Sequence, residues 1–436
     1  MMIELSCEPT AVLAEPGGRT KCFRKGLLAP ILACLVAMLS GCTTTKPDTT
    51  APTAALPLKE AVAKLATAMV THAQLPPPDA AGKYPIVIDP WIDRTTGEPI
   101  ATTRLMQQEI LALAPQHFPM LELLPFTDAS LARRPLVLLG AITAVDKPGS
   151  TTPATGQPGA YRIYGVLADL STGKIAANES AWVLPDDVDV TPSLFFQRSP
   201  AWWPEESTRA YLRTAETPPG GPIDPAYRDG LVAEALIVDA TTAYEAGQYE
   251  QALALYESAA ARPQGQAQLR VDTGLYLTHE ELGQPREAEE AFARIVQDGI
   301  KQDRLALKFL FKPGSTAFWP DPQVSRAYPM WLQVIAGQVA QSPVCLDIIG
   351  HASPTGSPEL NDRLSDARAR TIEGRLIGQR PILRSRLVAE GVGASQPLVG
   401  SGKDDASDLL DRRVDFKPRS CTAADHAQSA KGSTAG

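Results

Sequence analysis

Apolar residues change their spacing along the chain, and the changes separate an α/β region from a helical region. Between residues 58 and 200, short apolar runs of strand length alternate with stretches that carry apolar residues at helical spacing. The predicted helices span 58–73 and 102–114. The predicted strands span 85–90, 120–126, 136–145, 161–167 and 175–183, with a turn at 171–174 between the last two. We therefore expect an α/β domain over residues 58–200.

The next segment, 201–226, is predicted to be a linker that carries two tryptophans, Trp202 and Trp203. Adjacent aromatic residues in a loop can mark an interface, or they can dock onto their own domain. From Arg228 onward the apolar pattern is fully helical. The sequence thus predicts a multidomain fold, α/β followed by all-α, before a further α/β pattern begins near residue 304.

Small and aromatic residues within 227–303 resemble the spacing of tetratricopeptide repeats. One copy carries Ala252 and Tyr256, and a looser copy, offset by 36 residues, carries Ala288 and Phe292. The resemblance implies helical hairpins in which the alanines allow close approach and the aromatic rings fill the space between helices. Two copies leave apolar faces uncovered, so flanking helices or a neighbouring domain should cap them. The repeats would either bind a partner protein of the envelope on their concave face or act as a rigid spacer.

The pattern near the C-terminus predicts a strand, a loop and a helix. Residues 344–349 form an apolar run that Gly350 breaks, and three further breakers follow at 354–358. From residue 361, Asn361, Ser365 and Arg368 fall four and then three residues apart, so they share one stripe of a helix. These polar groups should converge on a concavity, where a guanidinium is suited to clamping a carboxylate with two parallel hydrogen bonds.

This segment resembles the signature of OmpA-like peptidoglycan-binding domains. The matching residues are Gly350, His351, Gly356, Asn361, Leu364, Ser365, Arg368 and Ala369. The resemblance covers residues 304–418 and implies a βαβαββ fold with strands at 308–315, 344–349, 387–391 and 412–416 and helices at 321–340 and from 361. The pair Arg412-Arg413 matches the family's final strand, where Arg413 would contact the ligand or pin a loop carbonyl.

The resemblance also implies a ligand, the diaminopimelate side of the peptidoglycan stem peptide. Arg368 would take its carboxylate, Asn361 would support the loop or the ligand, and His351 would hold the loop. Ser353 stands where the family usually has an aspartate for the ammonium, and Ala352 stands where it has a threonine. Two readings follow: weaker or altered wall binding, or a fold retained as a protein-interaction module.

The other end of the chain resembles a bacterial lipoprotein signal. A basic region precedes the apolar stretch 27–39, which ends in Leu-Ser-Gly-Cys at Cys42. That stretch is shorter than a membrane-spanning helix, which needs about 20 residues. The resemblance implies cleavage after residue 41, acylation of Cys42 and a flexible linker over 42–57. Thr43 follows the cysteine in place of the aspartate that commonly retains lipoproteins at the inner membrane, which implies the outer membrane, facing the periplasm. An ordinary cysteine after a cleaved signal is the alternative.

Composition agrees with export. Removing the four basic and three acidic residues of 1–41 leaves 37 Lys and Arg against 46 Asp and Glu, a net charge of −9. An acidic chain argues against nucleic acid as a partner. After loss of the leader and acylation of Cys42, two cysteines remain, Cys345 and Cys421, and an oxidising periplasm would either join them in a disulfide or leave them apart. Residues 419–436 are predicted to be a disordered tail.

The N-terminal half carries a further family resemblance and two aspartates that could be mistaken for catalytic residues. The order of its strands and helices faintly resembles lipoprotein domains of the FlgO, LpoB and CsgG type. Asp89 and Asp93 flank turn residues, and we interpret them as turn caps, not as an acid–base pair. The chain's five histidines lack a second ligand at metal spacing, and no catalytic motif is present.

The sequence therefore predicts a lipoprotein without enzymatic activity, metal or cofactor. Its expected work is to hold lipid and peptidoglycan at once, and so to tether or scaffold an envelope assembly. The alternative is a recruitment adaptor for a secretion or flagellar machine, or for a wall-synthesis enzyme, in which wall binding is weak or secondary.

Overall fold

The computed structural model describes residues 54–154, 156–266, 268–398, 408 and 411–422. The predicted signal peptide, Cys42 and most of the predicted linker and tail lie outside these residues. Within the described ranges, no helix combines the length and the apolar character needed to cross a bilayer. The described residues from 54 onward belong to one compact unit of mixed helices and sheets.

The N-terminal domain is built on a mixed sheet in the order β3-β1-β4-β5-β6. Its strands are β1 Tyr84–Ile88, β2 Ile92–Asp93, β3 Leu121–Leu123, β4 Leu136–Val145, β5 Ala160–Asp169 and β6 Lys174–Val183. Strands β3, β1 and β4 are parallel, while β4, β5 and β6 form an antiparallel meander. The short β2 pairs with β4 beyond the end of β1. Leu56 bridges Val183 at the outer edge of β6, so the predicted flexible linker already has sheet contacts at that residue.

Helices cover both faces of this sheet, because alternate side chains of its buried strands are apolar on both sides. On one face lie α1 Leu58–His72 and α2 Ala101–His117, with apolar residues of α1 packed against the strands. On the other lie α3 Asp128–Leu131, α5 Glu206–Glu216 and the first half of α6 Pro225–Glu245. The short helix α4 Leu194–Arg198 precedes α5 along the chain. The prediction of a linker over 201–226 is therefore corrected: α5 lies within it and packs on the sheet.

Tyr211 of α5 shows why that segment is ordered. The chain leaves the sheet between β1 and β2 at Pro90 and Trp91, so Gly140 of β4, which pairs with Gly165 of β5, has no ladder partner on its other side. The Tyr211 hydroxyl accepts a hydrogen bond from the Gly140 N–H at 2.9 Å and lies 2.9 Å from the Pro90 carbonyl oxygen. Trp91 fills the space above Gly140, where a Cβ would approach its ring to 2.7 Å. A buried backbone group left without a partner would be costly, and Tyr211 supplies the partner.

The helical region continues from α6 with α7 Tyr249–Ala260, α8 Leu269–Glu281 and α9 Pro285–Lys301. Each helix packs on the next along the chain. Tyr256 and Phe292 are fully buried, as are Ala252 and Ala288. The Tyr256 ring lies directly against Gly274 of α8, where a Cβ would be only 2.2 Å from the ring, so this glycine sets how closely α7 and α8 approach.

The C-terminal domain has a sheet in the order β8-β7-β9. Its elements are α10 Pro322–Ser325, α11 Tyr328–Gln341, β7 Val344–Gly350, α12 Pro358–Gln379, β8 Leu387–Gly391 and β9 Val414–Ser420. Strand β8 is parallel to β7 and β9 is antiparallel to it. A disulfide joins Cys345 of β7 to Cys421, just after β9, with a Cα–Cα distance of 5.1 Å. The first residues of the predicted tail belong to β9.

The predicted first strand at 308–315 departs from expectation. It makes isolated bridges, one of which joins Lys308 to Val414, the first residue of β9, in place of a continuous ladder. The reason is that its backbone groups are divided between two neighbours. The Lys308 N–H donates to the Pro200 carbonyl at 2.8 Å, whereas the Phe311 N–H donates to the Arg412 carbonyl at 3.2 Å.

The helical region and the C-terminal domain share one apolar core. Helix α11 packs against α9, and the Trp331 ring stacks on Phe292 with centroids 5.1 Å apart. The Trp331 Nε1 also donates to the Tyr276 hydroxyl at 2.9 Å. The apolar face that two repeats alone would expose is thus covered by α11.

Candidate functional site

The loop between β7 and α12 gathers most of the predicted site residues. Strand β7 ends at Gly350, where a Cβ would lie 1.9 Å from the Ser365 carbonyl oxygen of α12. Only glycine permits this approach, and it brings the start of the loop directly onto the helix. This loop, residues 351–357, is called the motif loop below; it runs through His351, Ala352 and Ser353, all buried, before α12 begins.

Arg368 lies at the centre of this arrangement and is fully buried. Its Nε donates to the Ser315 carbonyl at 3.2 Å, Nη1 to the His351 carbonyl at 2.9 Å, and Nη2 to the Lys312 carbonyl at 3.1 Å. The guanidinium also lies 5.3 Å from the centre of the Phe311 ring. Arg368 therefore fastens the 311–315 segment to the motif loop.

Further hydrogen bonds hold the loop near Asn361. The Asn361 Nδ2 donates to the Ser353 carbonyl at 3.2 Å, and the Ser353 Oγ lies 3.0 Å from the Thr355 Oγ1. The Ala352 N–H donates to the Gly393 carbonyl at 2.8 Å. Leu364 is half-buried on the same helix. Asn361 thus holds the loop through the Ser353 carbonyl, next to the Ser353 hydroxyl.

Asp415 is a member of the site that the sequence reasoning missed. The His351 Nε2 lies 3.0 Å from the Asp415 Oδ2, and the Arg413 Nε lies 3.1 Å from both carboxylate oxygens. Burial raises the pKa of Asp415, but Arg413 and His351 outweigh burial and hold it below its ordinary value. Arg413 also donates to the Gln396 carbonyl at 3.4 Å. The position of Asp415, two residues after Arg413 on a strand, could have suggested that both side chains share one face.

The electrostatics of the site follow from these contacts. Its cations are partnered by carbonyls or by Asp415, its amide supports the backbone at Ser353, and the Ser353 hydroxyl contacts that of Thr355. Such a set of fixed donors and acceptors suits recognition of a polar ligand. Among the described residues, no three His, Cys, Asp or Glu side chains are placed to hold a metal ion.

Comparisons with known proteins find similarity over part of the chain. No family model matches, and no curated protein matches. About 26% of this chain is similar to 89% of the peptidoglycan-associated lipoprotein from Burkholderia pseudomallei, at 23% identity and a TM-score of 0.22. About 30% is similar to 97% of the cell wall anchor of the T6SS from Pseudomonas aeruginosa, at 22% identity and a TM-score of 0.23.

A third solved structure, the C-terminal domain of Helicobacter pylori MotB, is similar over 28% of this chain and 92% of its own length, at 18% identity and a TM-score of 0.23. At these identities and TM-scores, the similarity assigns no function to this chain.

Proposed function

We propose that this chain is an outer-membrane lipoprotein whose C-terminal domain binds peptidoglycan non-covalently and ties an envelope assembly to the wall. The observation that carries the proposal is the convergence of Gly350, His351, Ser353, Asn361 and Arg368 on one loop. All of these residues except Ser353 match the OmpA-like motif, and they meet at the junction of β7 and α12.

In this proposal the stem peptide binds beside the Arg368 guanidinium. Its carboxylate accepts a hydrogen bond from the guanidinium, and this bond replaces the one that the guanidinium donates to the Lys312 or the Ser315 carbonyl. Both carbonyls belong to a short connecting segment. The Ser353 hydroxyl accepts one N–H of the diaminopimelate ammonium but carries no charge. A hydrogen bond between neutral and charged groups is weaker than a desolvated ion pair, so binding is expected to be weaker than with an aspartate at this position.

The helical region acts in this proposal as a rigid spacer. The segment 195–208 and the loop 96–98 line a small pocket together with Leu269, Arg270 and Thr273 of α8. The Leu269 N–H donates to the Glu205 carboxylate at 2.6 Å. Since the chain's own residues cover this part of α8 and α11 covers α9, the contacts favour the spacer over an open groove for a partner peptide.

The test is co-sedimentation of the full chain with purified sacculi. Wild type should pellet with sacculi and be released by free diaminopimelate, and Ser353→Asp should increase the bound fraction several-fold at low protein concentration. Arg368→Ala should abolish binding, whereas Arg363→Ala, at an exposed arginine on the same helix, should leave it unchanged.

Ser353→Asp keeps the test informative if Arg368→Ala also loosens the loop that Arg368 fastens. Circular dichroism would show whether each variant keeps its fold. Wild type remaining in the supernatant with intact sacculi would refute wall binding. Equal pelleting of all four proteins would refute the assigned site.

A further inference from the structure

A cleft of about 50 Å³ opens at the carboxyl end of β1, far in sequence from the motif loop. Asp89, the first residue after β1, forms part of its lining together with the side chains of Tyr211 and Tyr227. Ligands commonly bind in α/β sheets at such a position. A crevice forms outside the carboxyl ends of two adjacent strands when their following connections run to opposite sides. Here the chain leaves β1, passes through β2 and α2 and returns as β3 on one side of β1, while β4, on the other side of β1, leads to β5.

Asp89 has an unusual environment for a carboxylate. It is 1% exposed, and its Oδ2 accepts a hydrogen bond from the Tyr227 hydroxyl at 2.7 Å. No second side-chain donor reaches it among the described residues. Burial, and then the charge of Glu234, raise its pKa well above the ordinary value. A buried carboxylate with one neutral donor is unfavourable unless a proton or a cation accompanies it.

Arg270, the cation that acts electrostatically on Asp89, does not neutralise the charge of this carboxylate. The Arg270 Nη1 pairs with Glu234 at 2.7 Å, and its Nε lies 3.5 Å from a Glu98 carboxylate oxygen. Arg270 is therefore shared between two other carboxylates, and Glu205 adds a third within its electrostatic reach. Asp89, Glu98, Glu205 and Glu234 thus all act electrostatically on one guanidinium, that of Arg270.

The lining of the cleft offers acceptors and aromatic faces. The Gln268 Oε1 lines it and is buried without a hydrogen-bond partner among the described residues. Tyr211 and Tyr227 stand edge to face with ring centroids 5.7 Å apart. A primary ammonium has three donors and no acceptor, and it is attracted to aromatic faces, so it matches these groups.

We propose that this cleft binds a small primary ammonium compound, with Asp89 as its counter-ion. The volume of about 50 Å³ corresponds to roughly three or four water-sized positions, which suits an ammonium group on about two carbon atoms. Ser207, Thr208 and Gly230 lie at the partly exposed rim, which gives a route from solvent. This binding is separate from wall binding, since the cleft lies in the N-terminal domain and its border with the helical region.

The test is isothermal titration calorimetry of the full chain with ethylammonium at neutral pH. Saturable binding in the millimolar range or tighter is expected, and ethanol and acetate should give none. Asp89→Asn should weaken ethylammonium binding at least tenfold. Glu250→Gln, which removes an exposed carboxylate on α7, should leave it unchanged.

A second variant tests the cleft even if Asp89→Asn fails to fold. Gly230 faces open space, with no atom within 4 Å of an added Cβ, so Gly230→Leu should fold and cover the mouth of the cleft. It should abolish binding without lowering the melting temperature. The proposal is overturned if wild type shows no saturable heat, which would leave a proton alone as the companion of Asp89. It is equally overturned if Asp89→Asn or Gly230→Leu, folded as wild type, binds as wild type does.

Discussion

Lys308 should make the stability of this protein rise with pH in the alkaline range, and Lys308→Met should remove that rise. The side chain is 2% exposed, its Nζ donates to the Phe196 carbonyl, and it lies 4.1 Å from the centre of the Phe196 ring. Burial lowers the pKa of Lys308 from 10.5 to about 7, with Glu98 and Asp415 opposing the shift and Arg413 adding to it.

The sign follows from which state holds the proton. Between about pH 7 and 10.5, the unfolded chain keeps the Lys308 proton that the folded chain has lost, so unfolding becomes less favourable as pH rises. At about 1.4 kcal/mol per pKa unit, the full effect is on the order of 5 kcal/mol. Methionine has no charge to bury but loses the hydrogen bond to Phe196, worth about 1 kcal/mol.

Near pH 6, Lys308→Met is therefore expected to be more stable than wild type by about 3–4 kcal/mol. The difference should shrink steadily between pH 7 and 10. The measurement is urea unfolding followed by tryptophan fluorescence, since the buried Trp203 lies in the segment that contacts Lys308. Lys174→Met, at an exposed lysine, is the matched control and should show no such trend. A difference between Lys308→Met and wild type that stays constant from pH 6 to 10 would refute the reasoning.

Three further changes test the contacts that order the two α/β domains. Tyr211→Phe should lower the free energy of unfolding by about 1–3 kcal/mol, because Gly140 loses its partner in a buried gap; an unchanged urea midpoint would contradict this. Replacing both Cys345 and Cys421 by serine should cost about 4.5 kcal/mol in the chain-entropy model, given a sequence separation of 76, and equal melting of reduced and oxidised wild type would argue against it. Gly350→Ala should unfold the C-terminal domain, since its Cβ would meet a backbone oxygen at 1.9 Å; a native-like NMR spectrum would disprove that.

The sequence predicted well those elements whose signals are local. The apolar run ending at Gly350, the breakers after it and the helical spacing from Asn361 correspond to β7, the motif loop and α12. The spacing also placed Asn361 and Arg368 on one buried stripe of that helix. These outcomes depend on neighbours within a few residues, which is the range over which periodicity and turn chemistry act.

The partners of Arg368 could not be predicted in the same way. Its acceptors at Lys312 and Ser315 are more than 50 residues away in sequence, and they are backbone carbonyls, which carry no side-chain signal. The spacing indicated a guanidinium at a concavity, but which acceptor it meets depends on how the 308–315 segment crosses the domain. That crossing in turn depends on Pro200, another distant residue.

The predicted linker at 201–226 failed for a related reason. The buried face of α5 is formed by Ala210, Tyr211, Thr214 and Ala215, which are small or polar enough that the segment carries little apolar signal. Its order comes from the gap between β1 and β2, which needs a hydroxyl at one point. A requirement created by two strands elsewhere in the chain is not visible in the helix that satisfies it.

These non-local contacts also explain how a force on the motif loop would reach the N-terminal domain. Arg368 joins the loop to the segment 311–315, and that segment is continuous with Lys308, whose N–H donates to Pro200. Two residues on, the Trp202 N–H donates to the Ala306 carbonyl at 3.0 Å, and its Nε1 donates to the Thr96 carbonyl at 2.7 Å. Each step is a hydrogen bond or a short run of chain, so the load would pass between domains without crossing a flexible linker. These contacts would hold the motif loop at a fixed position relative to the N-terminal sheet.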